Sequence, residues 1–203
     1  EFKDAQTEWK YKILEKYGAR FQSCFAFEYF VSKRGLSEWF YKSGNEYADN
    51  GERAIFFARG VLETVKKLRW TPDIIHCQGW MSAVLPLYVK TAYHDEPSFA
   101  NTKVVTSLFT SQLKGELGAR FKQNVVFKSA TADKLAIYND KFDFVELGKM
   151  ALDYSDAVVE ASADVNSELL GYAKEKGLPV MNYPGEDFGS AYSKFYKELI
   201  SEE

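Results

Sequence analysis

Apolar residues recur at spacings of three and four between Glu46 and Arg69: Ala54, Phe57, Ala58, Val61, Leu62, Val65 and Leu68, with Arg53, Arg59, Glu63 and Lys66 elsewhere around the wheel. That period predicts an amphipathic helix with one face on a core. Trp70-Thr71-Pro72-Asp73 ends it, because proline cannot continue a helix. Ile74-Ile75-His76-Cys77 follows without polar alternation, the pattern of a parallel strand covered on both faces. Helical spacing resumes from Trp80 to Tyr93 through Val84, Leu85, Leu87, Tyr88 and Ala92, and Thr102 to Phe109 reads as a second strand. Helix, strand, short loop, helix and strand make a βαβ unit, whose crossover is expected to be right-handed.

The flanks continue the alternation. Residues 4–17 read as a short helix, and residues 21–31 alternate as a strand through Phe21, Phe25, Phe27, Tyr29 and Val31. Residues 33–45 have no period and several turn formers, so they read as a loop; its Trp39, Phe40 and Tyr41 should pack on something. Beyond Phe109 the pattern predicts a short helix over 112–122, a short strand over 124–128, a helix over 143–154 and a strand over 157–160. A helix over 164–176 follows, with Ser162 as its cap and Gly177 as its stop, then a strand over 178–181 and a terminal helix over 188–200. The fold class is α/β: a Rossmann-like, mainly parallel sheet with helices on both faces.

At 203 residues, 46% of them hydrophobic, the chain can bury one sizeable core. A net charge of -3 argues against nucleic acid or an anionic membrane as the main partner. Cys24 and Cys77 each sit in an apolar run, so two buried free thiols and a cytoplasmic location are expected. The two histidines, His76 and His94, have no metal-ligand spacing around them; no metal and no cofactor is implied. No apolar stretch approaches the ~20 residues that span a bilayer. The chain opens at Glu1-Phe2-Lys3 without an initiator Met and reads as a piece of a longer protein.

In such sheets ligands bind at the carboxyl ends of strands. The first polar strand end is His76-Cys77-Gln78-Gly79-Trp80, where Gln78 and Gly79 make the turn and Trp80 opens the next helix. A helix N-terminus offers free N–H groups to a hydroxyl or phosphate, glycine allows close approach, and Trp80 either stacks on a sugar or seals the core. The competing reading makes His76 a hydrogen-bonded core histidine and Gln78 a helix cap. Asp49 and Arg53, at i and i+4, are either part of a binding motif or a surface ion pair worth ~0.3–0.5 kcal/mol.

Two stretches resemble the bacterial glycogen synthases and plant starch synthases, and most of all the short single-lobe proteins of that kind in the Bacteroidetes. PDIIHCQGWMSAVLPLYVK, residues 72–90, is similar to the family's Pro-Asp-Ile-Ile-His-x-His-x-Trp strand and following helix. EYADNGERAIFFARGVLE, residues 46–63, is similar to its Tyr-x-Asp-Asn-x-x-Arg-Phe helix. The resemblance implies one lobe of a GT-B glycosyltransferase, moving glucose from ADP-glucose or UDP-glucose to an α-1,4-glucan once a partner supplies the second lobe. It places His76, Gln78, Gly79, Trp80, Asp49, Asn50 and Arg53 at the substrate site. It also divides the chain into an atypical segment, 1–28, and an incomplete lobe, 29–203. The chain departs from the pattern in four ways: Gln78 replaces the pair's second His, Thr106-Ser107-Leu108-Phe109 replaces Thr-x-His-Asn, Glu160-Ala161-Ser162-Ala163 stands at the third strand end in place of Thr-Val-Ser-Pro, and no Lys-x-Gly-Gly-Leu loop occurs. A glutamine binds a hydroxyl but cannot become a cation, so the alternative is a non-catalytic glucan- or sugar-nucleotide-binding protein.

Overall fold

The computed structural model describes residues 41–42, 45–110 and 113–201. The helix expected over 4–17, the strand over 21–31, Trp39, Phe40, Cys24 and the boundary near residue 28 lie outside the described residues. Within the expected loop, β1 (Tyr41–Lys42) pairs antiparallel with β2 (Asn45–Glu46).

The long periodic segment is helix α1 (Asn50–Lys67), which buries Ala54, Ala58, Leu62 and Val65. It ends in a Schellman-type closure: Trp70 N–H bonds to the Val65 carbonyl and Arg69 N–H to that of Lys66, with Arg69 at φ 52 in the place glycine usually takes. Strand β3 (Ile74–Cys77) follows. The continuous helix expected from Trp80 to Tyr93 forms in two pieces, a 3-10 turn (Trp80–Ser82) and helix α2 (Val84–Lys90). Pro86 accounts for the break, because it has no N–H to offer the Ser82 carbonyl and is tolerated only in a first turn.

Strand β4 (Lys103–Leu108) leads into a segment that is less regular than its pattern predicts. Only a single turn, α3 (Phe121–Asn124), is helical where 112–122 was expected, and the strand over 124–128 is absent. Phe127 and Ala130 instead form an isolated antiparallel bridge around Lys128, which takes φ 47. One turn, α4 (Ala132–Leu135), precedes helix α5 (Phe144–Asp153), capped by the Asp143 carboxylate accepting from Glu146 N–H at 2.8 Å. Strand β5 (Ala157–Glu160), helix α6 (Ser167–Glu175), strand β6 (Val180–Met181), a 3-10 turn (Gly185–Asp187) and helix α7 (Phe188–Ser201) complete the described chain. Asn166, not Ser162, caps α6: its Oδ1 accepts from Leu169 N–H at 3.0 Å, while the Ser162 hydroxyl donates to the Asp164 carbonyl. Leu169 lies seven positions past Ser162, beyond the two or three a cap spans.

The four strands form one parallel sheet in the order β3-β4-β5-β6. Register decides the faces. Ile75, Cys77, Val104, Leu108 and Val158 point to one side, where Leu62, Tyr88, Met150, Leu152 and Leu169 of α1, α2, α5 and α6 cover them. Ile74, His76, Val105, Ser107, Ala157, Val159 and Met181 alternate to the other, where α7 lies with Tyr196 and Leu199 buried. Helices therefore cover both faces, as the unalternating apolar strands require.

Candidate functional site

The carboxyl ends of β3 and β4 hold most of the positions singled out by sequence. Gln78 follows β3 and is exposed; Gly79 takes φ 77 and ψ 156, a conformation that strains any side chain. The Ser82 hydroxyl lies 3.0 Å from the Gln78 carbonyl and 2.8 Å from that of Gly79, closing the turn. Trp80 is 3% exposed and belongs to the main core, so of the two roles its position allowed it takes the one that seals the interior. The expected long helix opening at Trp80 is replaced by a three-residue 3-10 turn, with Gly79 as its cap and no side-chain cap from Gln78. Beneath the turn lies a cavity of about 30 Å³, lined by Cys77, Trp80, Phe109, Phe144 and Leu169 among others. Such a volume holds about one water molecule and no sugar ring.

His76 points to the α7 side. Its Nε2 lies 2.7 Å from Ser107 Oγ and its Nδ1 2.5 Å from Tyr196 Oη. The Tyr192 and Tyr196 rings flank the imidazole at 5.7 and 5.9 Å, and burial holds its pKa down to about 4. The imidazole is thus half-buried and hydrogen-bonded through both ring nitrogens within the fold. Ser107, Tyr192 and Tyr196 were not singled out from sequence. Their signals are weak: Ser107 shares the β4 face of Val105, and the two tyrosines stand four apart on one helix face.

The second group sits at the start of α1. Gly51 lies against Leu117 and Phe121, in the segment after β4, and α1 packs on the 3-10 turn at Trp80–Ser82. The helix N-terminus is therefore at the same end of the sheet as Gln78. Arg53 Nε donates to Asp49 Oδ1 at 2.9 Å, and its guanidinium lies 4.5 Å from the Tyr47 ring centre. The hydrogen bond from Arg53 lowers the Asp49 pKa. With its partners 27% and 56% exposed, the ion pair is solvated. Asn50 is buried at 3%. Glu46, just upstream, accepts from the backbone N–H groups of Lys114 and Gly115 at 2.8 and 3.2 Å and so fastens β2 to the loop after β4. Among the described residues no cluster of His, Cys, Asp and Glu could hold a metal ion, and no helix is long and apolar enough to cross a membrane.

A parallel α/β lobe with its polar turns gathered at the strand carboxyl ends is the class of protein this geometry defines. Residues 6–181 match the family model described as the starch synthase catalytic domain, and the chain belongs to that family. The glycogen synthase of Clostridium perfringens is 33% identical over 156 residues, covering 74% of this chain and 30% of that protein. The glycogen synthase of Chlorobium luteolum is 36% identical over 107 residues, covering 52% of this chain and 22% of its own length. Among solved structures, the catalytic domain of starch synthase IV from Arabidopsis thaliana, bound to ADP and acarbose, aligns with a TM-score of 0.49 at 16% identity, covering 71% of this chain and 32% of that one. The chain thus spans less than a third of the length of these relatives.

Proposed function

We propose that this chain is a glycogen/starch synthase-like glucosyltransferase lobe, transferring glucose from ADP-glucose or UDP-glucose to an α-1,4-glucan when a second lobe completes the cleft. Membership of the starch synthase catalytic domain family over residues 6–181 carries the reading. Residues 29–203 form the lobe in this proposal, it works in the cytoplasm, and a protein partner or a further segment closes the site in a GT-B arrangement. Gln78 and the Gly79 turn face the donor glucose, His76 and Trp80 support that turn, and Asp49, Asn50 and Arg53 flank the cleft from α1. A departing diphosphate needs charges preorganised on both walls of a dry cleft, which one lobe does not supply. Incorporation of label from ADP-[14C]glucose or UDP-[14C]glucose into glycogen tests the reading. Incorporation with added lysate of the source cells supports it, and none under any condition sinks it.

A second reading is favoured by Gln78, an uncharged amide where the family pattern has a histidine. On that reading the lobe binds a glucan or sugar nucleotide without catalysis. Isothermal titration with maltoheptaose and ADP-glucose separates the two: binding without incorporation selects the second reading, and absence of both removes both.

A further inference from the structure

His76 stands two residues behind Gln78, and its surroundings define its task. The imidazole is the meeting point of three elements: β3, which carries it, β4 through Ser107 at 2.7 Å, and α7 through Tyr196 at 2.5 Å. The Tyr192 ring lies beside the imidazole at 5.7 Å and meets the Tyr196 ring edge-on at 5.8 Å. We propose that His76 is a positioning residue, a pin that fastens α7 to the carboxyl ends of β3 and β4 and so holds the Gln78–Gly79 turn in place without touching a ligand. The inference rests on the functional reading above only for what Gln78 contacts.

Donor counting gives the pin a direction. A neutral imidazole has one donor and one acceptor. A phenol is a better donor than an aliphatic hydroxyl, so Tyr196 donates to Nδ1, and the Nε2–H is left to donate to Ser107 Oγ. The geometry therefore assigns the Nε2–H tautomer, with both ring nitrogens engaged inside the fold. Burial, which holds the His76 pKa down, keeps the ring neutral as that tautomer requires. The pin matters because α7 grips the sheet narrowly: Tyr196 and Leu199 are buried, Tyr192 and Phe195 half-buried, and Lys194, Lys197 and Glu198 face outward. Releasing α7 frees the last turn of β3 from one side.

Tyr196→Phe keeps the ring in its apolar site and removes only the phenol proton. In long-range 1H–15N spectra the parent protein should show His76 as a single Nε2–H tautomer, and the variant a mixture of tautomers. Amide exchange over 188–201 and 78–82 should accelerate about tenfold in the variant while α1 and α2 keep their rates. Ser107→Ala should do the same, so the pin remains testable if His76→Asn does not fold. In titrations with ADP-glucose, Tyr196→Phe and His76→Asn should weaken binding alike, by about three- to tenfold, and the double variant no further. An unchanged tautomer and unchanged exchange in Tyr196→Phe overturn the proposal. So does a loss of a hundredfold or more in His76→Asn alone with exchange over 188–201 unaltered, because that marks direct contact with the ligand. If the parent protein binds neither ADP-glucose nor maltoheptaose, the functional reading fails by itself, and the tautomer and exchange still decide the pin.

Discussion

Asp153 shows how one carboxylate can order a whole corner of the molecule. Its side chain is 8% exposed, yet it accepts from the Tyr138 and Tyr172 hydroxyls at 2.7 and 2.8 Å and pairs with Lys176 at 2.7 Å. Burial, and then the hydrogen bond to Asp153, raises the pKa of both tyrosines, so they remain donors throughout the neutral range. Asp153→Ala leaves three donors facing an apolar methyl, and should cost about 3 kcal/mol in urea unfolding. Tyr172→Phe removes one donor together with its own demand and should cost only ~1 kcal/mol. If the two variants are equally stable, the hub account is wrong. At Gln78 the expectation concerns binding. Gln78→Ala removes one exposed hydrogen-bonding amide and should weaken ADP-glucose about five- to tenfold in titration, roughly 1 kcal/mol, with the melting temperature unmoved.

At the scale of elements, two glycines separate close packing from helix propensity. A Cβ on Gly148 of α5 would stand 2.5 and 2.7 Å from the methyl carbons of Leu169, itself 1% exposed in α6, so Gly148→Ala forces the buried Leu169 side chain, or the helix that carries it, to shift. Overpacking of this kind costs about 1–3 kcal/mol. Gly171, on α6, has nothing within 4 Å of the same added carbon, and Gly171→Ala should stabilise by about 0.5–1 kcal/mol. Chemical denaturation of the pair gives opposite signs if helix contact is the cause. These contacts also show why only part of the fold was legible in the sequence. The strands β3, β4 and β5 announce themselves, since an apolar run without alternation has few other fates. The pieces at 113–135 do not, because they are held by tertiary bonds such as Lys122 to the Tyr138 carbonyl rather than by a period. Trp80 and His76 were legible as a strand end but not as roles: whether an indole faces sugar or core depends on α1 and α5 lying over it. No local pattern says that Tyr196, 120 residues on, will reach the His76 ring.

For the molecule as a whole, that half-buried, hydrogen-bonded imidazole predicts how stability depends on pH. In the unfolded chain His76 should titrate near the ordinary value of 6.5, whereas burial holds it down to about 4 in the fold. Between those values the unfolded state binds the additional proton, so stability rises with pH across the window. The contribution is complete above about pH 6.5 and is lost progressively as pH falls toward 4. Each unit of separation corresponds to about 1.4 kcal/mol, so the full effect is on the order of 3 kcal/mol. Ser107, Tyr192 and Tyr196, the described groups that face the ring, carry no charge in this window and cannot supply the slope themselves. Carboxylates can, and a single acid titration would mix their protonation with that of the histidine. The informative quantity is therefore the difference between the parent protein and His76→Gln, both unfolded with urea at intervals from pH 4 to 8. The variant should be less stable at pH 8 for want of the Tyr196 and Ser107 bonds, and the gap should narrow as pH falls, since only the parent protein has a proton to exclude. A gap that stays constant from pH 8 to 4 would mean that the imidazole is protonated with its fold intact, and the pinned neutral ring would have to be abandoned.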